Sequence, residues 1–138
     1  MLNGSQNRFA MSKLPINAVL AARIRAARNA LGISQSEVGR RMGWAPEVAS
    51  SKINRYENER HLPNFETAQE LAEVLGVPLA ALCTGDDRVA EVNGHLEKMS
   101  AAKLDAVLRL CREISGPQQY SEIQRRLGVV DAKDKQDE

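Results

Sequence analysis

The residues best equipped for chemistry lie in the stretch Ala49-Ser50-Ser51-Lys52-Ile53-Asn54-Arg55-Tyr56-Glu57. Ala49, Ile53 and Tyr56 stand at i, i+4 and i+7, the spacing of one inward helical face. Ser50, Ser51, Lys52, Asn54 and Arg55 then take the outer side, where all can donate hydrogen bonds, two are cationic and no carboxylate stands among them. Such a set suits base edges in a nucleic-acid groove, with Arg55 foremost because a guanidinium can donate two bonds to the O6 and N7 of guanine. Taken alone, the stretch fits a solvated surface helix better. What precedes it reverses that reading.

No other residues offer a rival chemistry. His61 and His95 lie far apart in sequence and form no metal-ligand cluster, no glycine-rich phosphate loop follows a strand, and no strand pattern is found. The expectation is no enzyme, no metal and no cofactor. His61 is either solvated or a phosphate donor, and His95 is exposed. Cys83 and Cys111 have no CxxC relation and sit in apolar patterns, which predicts two reduced core residues of a cytosolic protein. The net charge of +1 conceals an uneven distribution. Between Leu20 and Arg60, the bases Arg23, Arg25, Arg28, Arg40, Arg41, Lys52, Arg55 and Arg60 face only Glu37, Glu47, Glu57 and Glu59, whereas acids slightly outnumber bases from Asp86 onward. A basic half joined to a mildly acidic half suits contact with a polyanion by one part only. No apolar run approaches the roughly 18 residues that span a bilayer, and no signal-peptide pattern is present, so a cytoplasmic protein without membrane contact is expected.

The helices that must position the central stretch follow from periodicity and caps. Residues 1–15 form a polar arm expected to be flexible. A first helix over about 16–31 carries Leu20, Ile24, Ala27 and Leu31 on one stripe and stops at Gly32. Ser34 with Glu37 three residues on predicts a capping box that opens a second helix, with Val38 and Met42 inward and Gly39 leaving room for a close neighbour. Gly43 ends it. A capped helix, a glycine turn and a donor-rich helix over 49–57 in succession describe a helix-turn-helix. Arg60 and His61 follow in a turn from which both could meet phosphate. Asn64 caps a fourth helix with Phe65, Ala68, Leu71, Ala72 and Leu75 inward, stopped by Gly76. Pro78 opens a short fifth helix with Leu79 and Leu82, ending near Gly85. Beyond it, Val89, Val92, Leu96 and Met99, and then Leu104, Val107, Leu108, Cys111 and Ile114 after a possible cap at Ser100, predict two amphipathic helices, with a further turn or two around Tyr120, Ile123 and Leu127.

The residues from about Val19 to Leu82 resemble the helix-turn-helix family of phage repressors and Cro proteins, the xenobiotic-response-element type. The matching phrases, in order, are Arg23 to Arg28, Gly32 to Val38, Lys52 to Glu57 and Leu71 to Val77. The resemblance implies an all-α fold, a five-helix lambda-repressor-like DNA-binding bundle with appended C-terminal amphipathic helices. It implies Gln35 on a phosphate, and Ser50, Ser51 and Arg55 reading bases with Lys52 and Asn54 beside them. It also implies an ion pair between Arg28 and Glu57 that serves the fold, the alternative being Arg28 on phosphate. Two departures stand out. Gly43 to Glu57 is about four residues longer than the usual spacing, which predicts a loop around Trp44-Ala45-Pro46-Glu47 with Trp44 in the core or against the sugar-phosphate backbone. Where the family often has glycine two residues beyond the glutamate, this chain has Glu59, so either Asn58 turns left-handed or the turn is built differently.

The expected organisation is a flexible arm at 1–15, a DNA-binding domain at 16–85, a helical dimerisation or interaction segment at 86–128 and a disordered tail at 129–138. The expected function is a homodimeric repressor that binds double-stranded DNA and reads a palindromic operator, paired through Val89, Val92, Leu96, Met99, Leu104, Leu108 and Cys111. The rival readings are an antitoxin-like protein whose C-terminal helices bind a protein partner, and a helical adaptor without DNA binding.

Overall fold

The first helix, α1 (Ile16–Ala30), has its apolar residues spaced to bury one stripe: Val19, Leu20, Ala21 and Ile24 lie within the core, and Gly32 takes φ +65° to turn the chain away. The computed structural model describes Met11 and residues 13–129. The expected arm and tail therefore lie almost wholly outside the described residues. In the second helix, α2 (Gln35–Arg41), Ser34 is the N-cap and its hydroxyl accepts from the Glu37 backbone N–H at 3.1 Å. Only that half of the expected capping box forms. The Glu37 carboxylate instead accepts from Arg40 and Arg41, at 2.7 and 2.8 Å, and their hydrogen bonds hold its carboxyl at about 2.

The stretch from Ala49 to Glu57 belongs to α3 (Pro46–Glu57), twelve residues long. The extra residues between Gly43 and Glu57 thus do not make the expected loop. Pro46 has φ suited to the first helical position, so they add a turn to the front of the helix and the connection stays short. Next come α4 (Phe65–Leu75), whose cap Asn64 accepts from Thr67 N–H at 2.8 Å, and α5 (Leu79–Leu82). Leu20, Ile24, Val38, Ile53, Leu71, Ala72, Leu75 and Leu82 form one core across all five helices. Two expected inward residues are exposed instead. Phe65 is 85% exposed because it opens α4, a turn ahead of the first buried residue, Ala68. Leu31 is also exposed, lying past the last turn of α1.

The described chain divides into two units, one up to Glu97 and one from Lys98. The first includes α6 (Asp87–Leu96), so it extends past the boundary expected at Asp86. Arg23 on α1 reaches this junction, its Nε donating to the Thr84 carbonyl at 2.9 Å and its Nη1 pairing with Asp87 at 2.9 Å. The second unit holds α7 (Ala101–Ser115) and α8 (Pro117–Leu127), packed against each other, with the Arg112 guanidinium 4.8 Å from the Tyr120 ring. Ser100 stands at the cap position of α7 without making the cap bond. No residue of α7 is buried, which leaves Cys111 exposed, and Cys83 at the end of α5 is exposed too. Neither cysteine is the core residue its apolar surroundings predict. Among the described residues no helix is long and apolar enough to cross a membrane.

The α2 to α3 contact is the tightest in the first unit. A Cβ placed on Gly39 would lie 2.4 Å from the Ala49 Cβ and 2.6 Å from its Cα. The two helices approach so closely because position 39 has no side chain. Gly39→Ala is expected to lower stability by about 1–3 kcal/mol, read from urea unfolding. Gly94→Ala on α6, where a new Cβ meets nothing within 4 Å, is expected to raise it by about 0.5–1 kcal/mol.

Candidate nucleic-acid interface

Glu57, the last residue of α3, is only 4% exposed. A carboxylate taken out of water needs compensating donors, and three neighbours supply them. Arg28 on α1 donates from Nε to Oε1 at 2.5 Å and from Nη2 to Oε2 at 3.1 Å. Gln35, the first residue of α2, donates from Nε2 to Oε2 at 2.9 Å. Arg25 approaches Oε2 at 3.6 Å and donates from Nη2 to the Glu57 carbonyl and to Asn58 Oδ1, each at 3.0 Å. Ile33 completes the cage through its carbonyl, which accepts from Arg28 Nη1 at 3.0 Å. Burial pushes the Glu57 carboxyl up, but the bonds from Arg28 and Gln35 and the charges of Arg28 and Arg25 outweigh it and hold the group below its ordinary range. One side chain therefore fixes α3 to both α1 and α2.

With its end anchored, α3 presents its other side to solvent. Gln35, Glu47, Ser50, Ser51, Asn54, Arg55 and Arg60 line an open groove of about 520 Å³. Ser50 donates to Gln35 Oε1 at 3.5 Å, so the serine and the glutamine meet across the helix-turn-helix. Lys52 and Arg55 share a smaller hollow with Tyr56, His61 and Leu62. The Lys52 ammonium sits 4.4 Å above the Trp44 ring, and Trp44 meets Tyr56 edge to face at 6.4 Å. Trp44 is packed against the core and so takes the first of its two expected positions. Among the described residues, Lys52, Arg55, Arg60 and His61 have no carboxylate partner, and all four are exposed.

The turn after α3 is built on Glu59, whose φ is +58°, while Asn58 stays at −109°. The left-handed residue is thus Glu59 itself. A non-glycine residue there costs about 1–2 kcal/mol. Asn17 donates to the Glu59 carboxylate at 3.3 Å, and the backbone N–H groups of Arg60 and His61 both donate to the Arg55 carbonyl, at 2.9 and 3.3 Å. These bonds fold Arg60 and His61 back beside the end of α3.

The helix-turn-helix family model matches residues 24–82. The crystal structure of the transcriptional regulator BswR superposes with a TM-score of 0.62 at 34% sequence identity, over 71% of this chain and 97% of that one. The chain belongs to the phage repressor and Cro family of helix-turn-helix proteins. Comparison with curated proteins returns no match. Membership in this family makes the chain a DNA-binding regulator of transcription, with α2 and α3 as its helix-turn-helix.

Within this helix-turn-helix protein, the candidate residues fall on two sides. Arg28 is held inward on Glu57 and Ile33. Ser50, Ser51, Asn54 and Arg55 line the groove with Arg60, while Lys52 and His61 stand in the neighbouring hollow. Gln35 faces both ways, since its amide serves Glu57 and its edge lines the groove. Val89, Val92, Leu108 and Cys111 are exposed, and Leu96, Met99 and Leu104 are half-buried. Arg25, to which type and spacing assign no role, closes the Glu57 cage with three contacts. Its i, i+3 relation to Arg28 on α1 was the available signal.

Removing either member of a buried pair strands the other charge, so Arg28→Ala is expected to cost about 3–5 kcal/mol in urea unfolding. The pH dependence has a definite sign. Because the folded carboxyl of Glu57 lies below its unfolded value of about 4.3, its contribution is fully present above that pH and disappears as pH falls through the folded value. Glu57→Gln is expected to be less stable at neutral pH and to lose part of that acid sensitivity.

Proposed function

We propose that this regulator is a homodimeric repressor that reads a palindromic operator in double-stranded DNA through the exposed side of α3. The observation that carries the reading is the anchored helix itself: the end of α3 is locked at Glu57 while Ser50, Ser51, Asn54 and Arg55 line one open groove. Arg55 is the principal base reader, bidentate on guanine, with Ser50 and Ser51 on adjacent bases and Lys52 and Asn54 able to reach base or backbone. Gln35, Arg60 and His61 rim the same side and take phosphates, which set register without reading sequence. A dimer on half-sites about 34–36 Å apart would occlude polymerase, and such a protein acts in the cytoplasm with the DNA.

The pairing surface is assigned to the helices after α5. Val89 and Val92 leave α6 with an exposed apolar edge, and α7 has no buried residue although Leu104, Leu108, Leu110 and Ile114 recur along it. A helix of that pattern gains its stability from a packed partner, and a second copy supplies one. The helices up to α5 would then bind DNA, and α6 and α7 would each present an apolar edge for pairing.

Titration of duplexes enriched from a random pool, against shuffled copies at two salt concentrations, tests the reading. Arg55→Ala is expected to lose about 1–3 kcal/mol of discrimination while keeping weak binding that falls with salt, by about 0.9 in log-log slope for each phosphate neutralised. Sedimentation should show a dimer. Absence of any DNA complex at low salt would remove the operator reading and transfer the function to a protein partner of α7 and α8.

A further inference from the structure

The added turn at the front of α3 carries a charge whose position has a consequence for sequence choice. Glu47, Ser51 and Arg55 stand at i, i+4 and i+8, all three are exposed, and all three line the open groove. Four carboxylates lie between Leu20 and Arg60. Glu37 is held by Arg40 and Arg41, Glu57 by Arg28, and Glu59 accepts from Asn17. Among the described residues Glu47 alone of the four has no hydrogen-bond or ion-pair partner. An unpaired carboxylate on a surface that meets phosphate repels every DNA alike, so its presence there weakens general binding.

We propose that Glu47 is a specificity-determining residue that accepts a hydrogen bond from the exocyclic amine of a cytosine in the major groove. This inference rests on the reading of α3 as the base-reading helix. Cytosine presents the N4 amine as a donor there, guanine presents only the acceptors N7 and O6, and thymine presents the acceptor O4 with a methyl group. Adenine also presents a donor, its N6 amine, but next to the acceptor N7, so a carboxylate gains most from cytosine and is repelled by guanine and thymine. Eight residues of helix at about 1.5 Å each separate Glu47 from Arg55 by about 12 Å, which at about 3.4 Å per base pair places their bases about three to four pairs apart. The competing role for a carboxylate in a first helical turn is to complement the positive end of the helix, which involves no base.

Selection from a random duplex pool with the full-length protein, Glu47→Ala, Glu47→Gln and Arg55→Ala separates these roles, with thermal unfolding run beside each. The wild type should enrich cytosine about three to four pairs from the guanine that Arg55→Ala ceases to select. Glu47→Ala should lose that enrichment, by about 5- to 150-fold in discrimination, and should bind unrelated DNA more tightly. Glu47→Gln should turn the preference toward adenine, whose N6 and N7 suit a carboxamide. Unchanged base preference in both Glu47 variants, whatever happens to affinity or melting, would overturn the assignment and leave Glu47 serving the helix end. If Arg55→Ala also leaves the preference unchanged, the base-reading role of α3 fails with it; if only the Glu47 variants are silent, that role stands.

Discussion

A carboxylate in a helical bundle tolerates few arrangements of its neighbours, and Glu57 imposes such an arrangement on this one. Its burial demands donors, and the donors come from two other helices: Arg25 and Arg28 from α1 and Gln35 from α2. A buried ion pair contributes little net stability, because the cost of desolvating both charges offsets their attraction. What it contributes here is position. Rotation of α3 about its axis would pull the carboxylate away from Arg28 and leave two uncompensated groups, so the angle of the helix, and with it the direction of Ser50, Ser51 and Arg55, is set by a contact on its opposite side.

Close packing acts in the same sense. Gly39 lets α2 approach the backbone of α3 at Ala49, and Ala49, Ile53 and Glu57 form the buried face whose reverse is the groove. The strained turn at Glu59 returns Arg60 and His61 to that groove. A glycine there would remove the strain, but it would also remove the carboxylate that Asn17 holds. Local strain of this kind persists where surrounding contacts determine the conformation.

Much of this was legible in the residues. The stripe Ala49, Ile53 and Tyr56, the caps Ser34 and Asn64, and the stops Gly32 and Gly76 mark the helices because each has a local physical cause: period, cap bond or left-handed φ. The Arg28 and Glu57 contact entered through resemblance, since no local rule joins residues 29 positions apart. The failures were tertiary or required a choice between local signals. By spacing, the extra residues before position 49 suggest a loop, although Pro46 is well placed to open a helix. Phe65 fits the inward period of α4 but overhangs its end. Cys83 and Cys111 sit in apolar patterns, yet a pattern says which face is apolar and not whether anything covers it.

The central claim is that a helix anchored at Glu57 meets DNA with its opposite face. Amide and side-chain NMR signals of the full-length protein, followed during titration with a selected duplex, test it most directly. The expected result is that shifts concentrate on Gln35, Glu47, Ser50, Ser51, Asn54, Arg55, Arg60 and His61, while the Arg28 guanidinium signal stays in place. Shifts confined to α7 and α8, or an Arg28 signal that moves with the DNA while α3 stays silent, would contradict it.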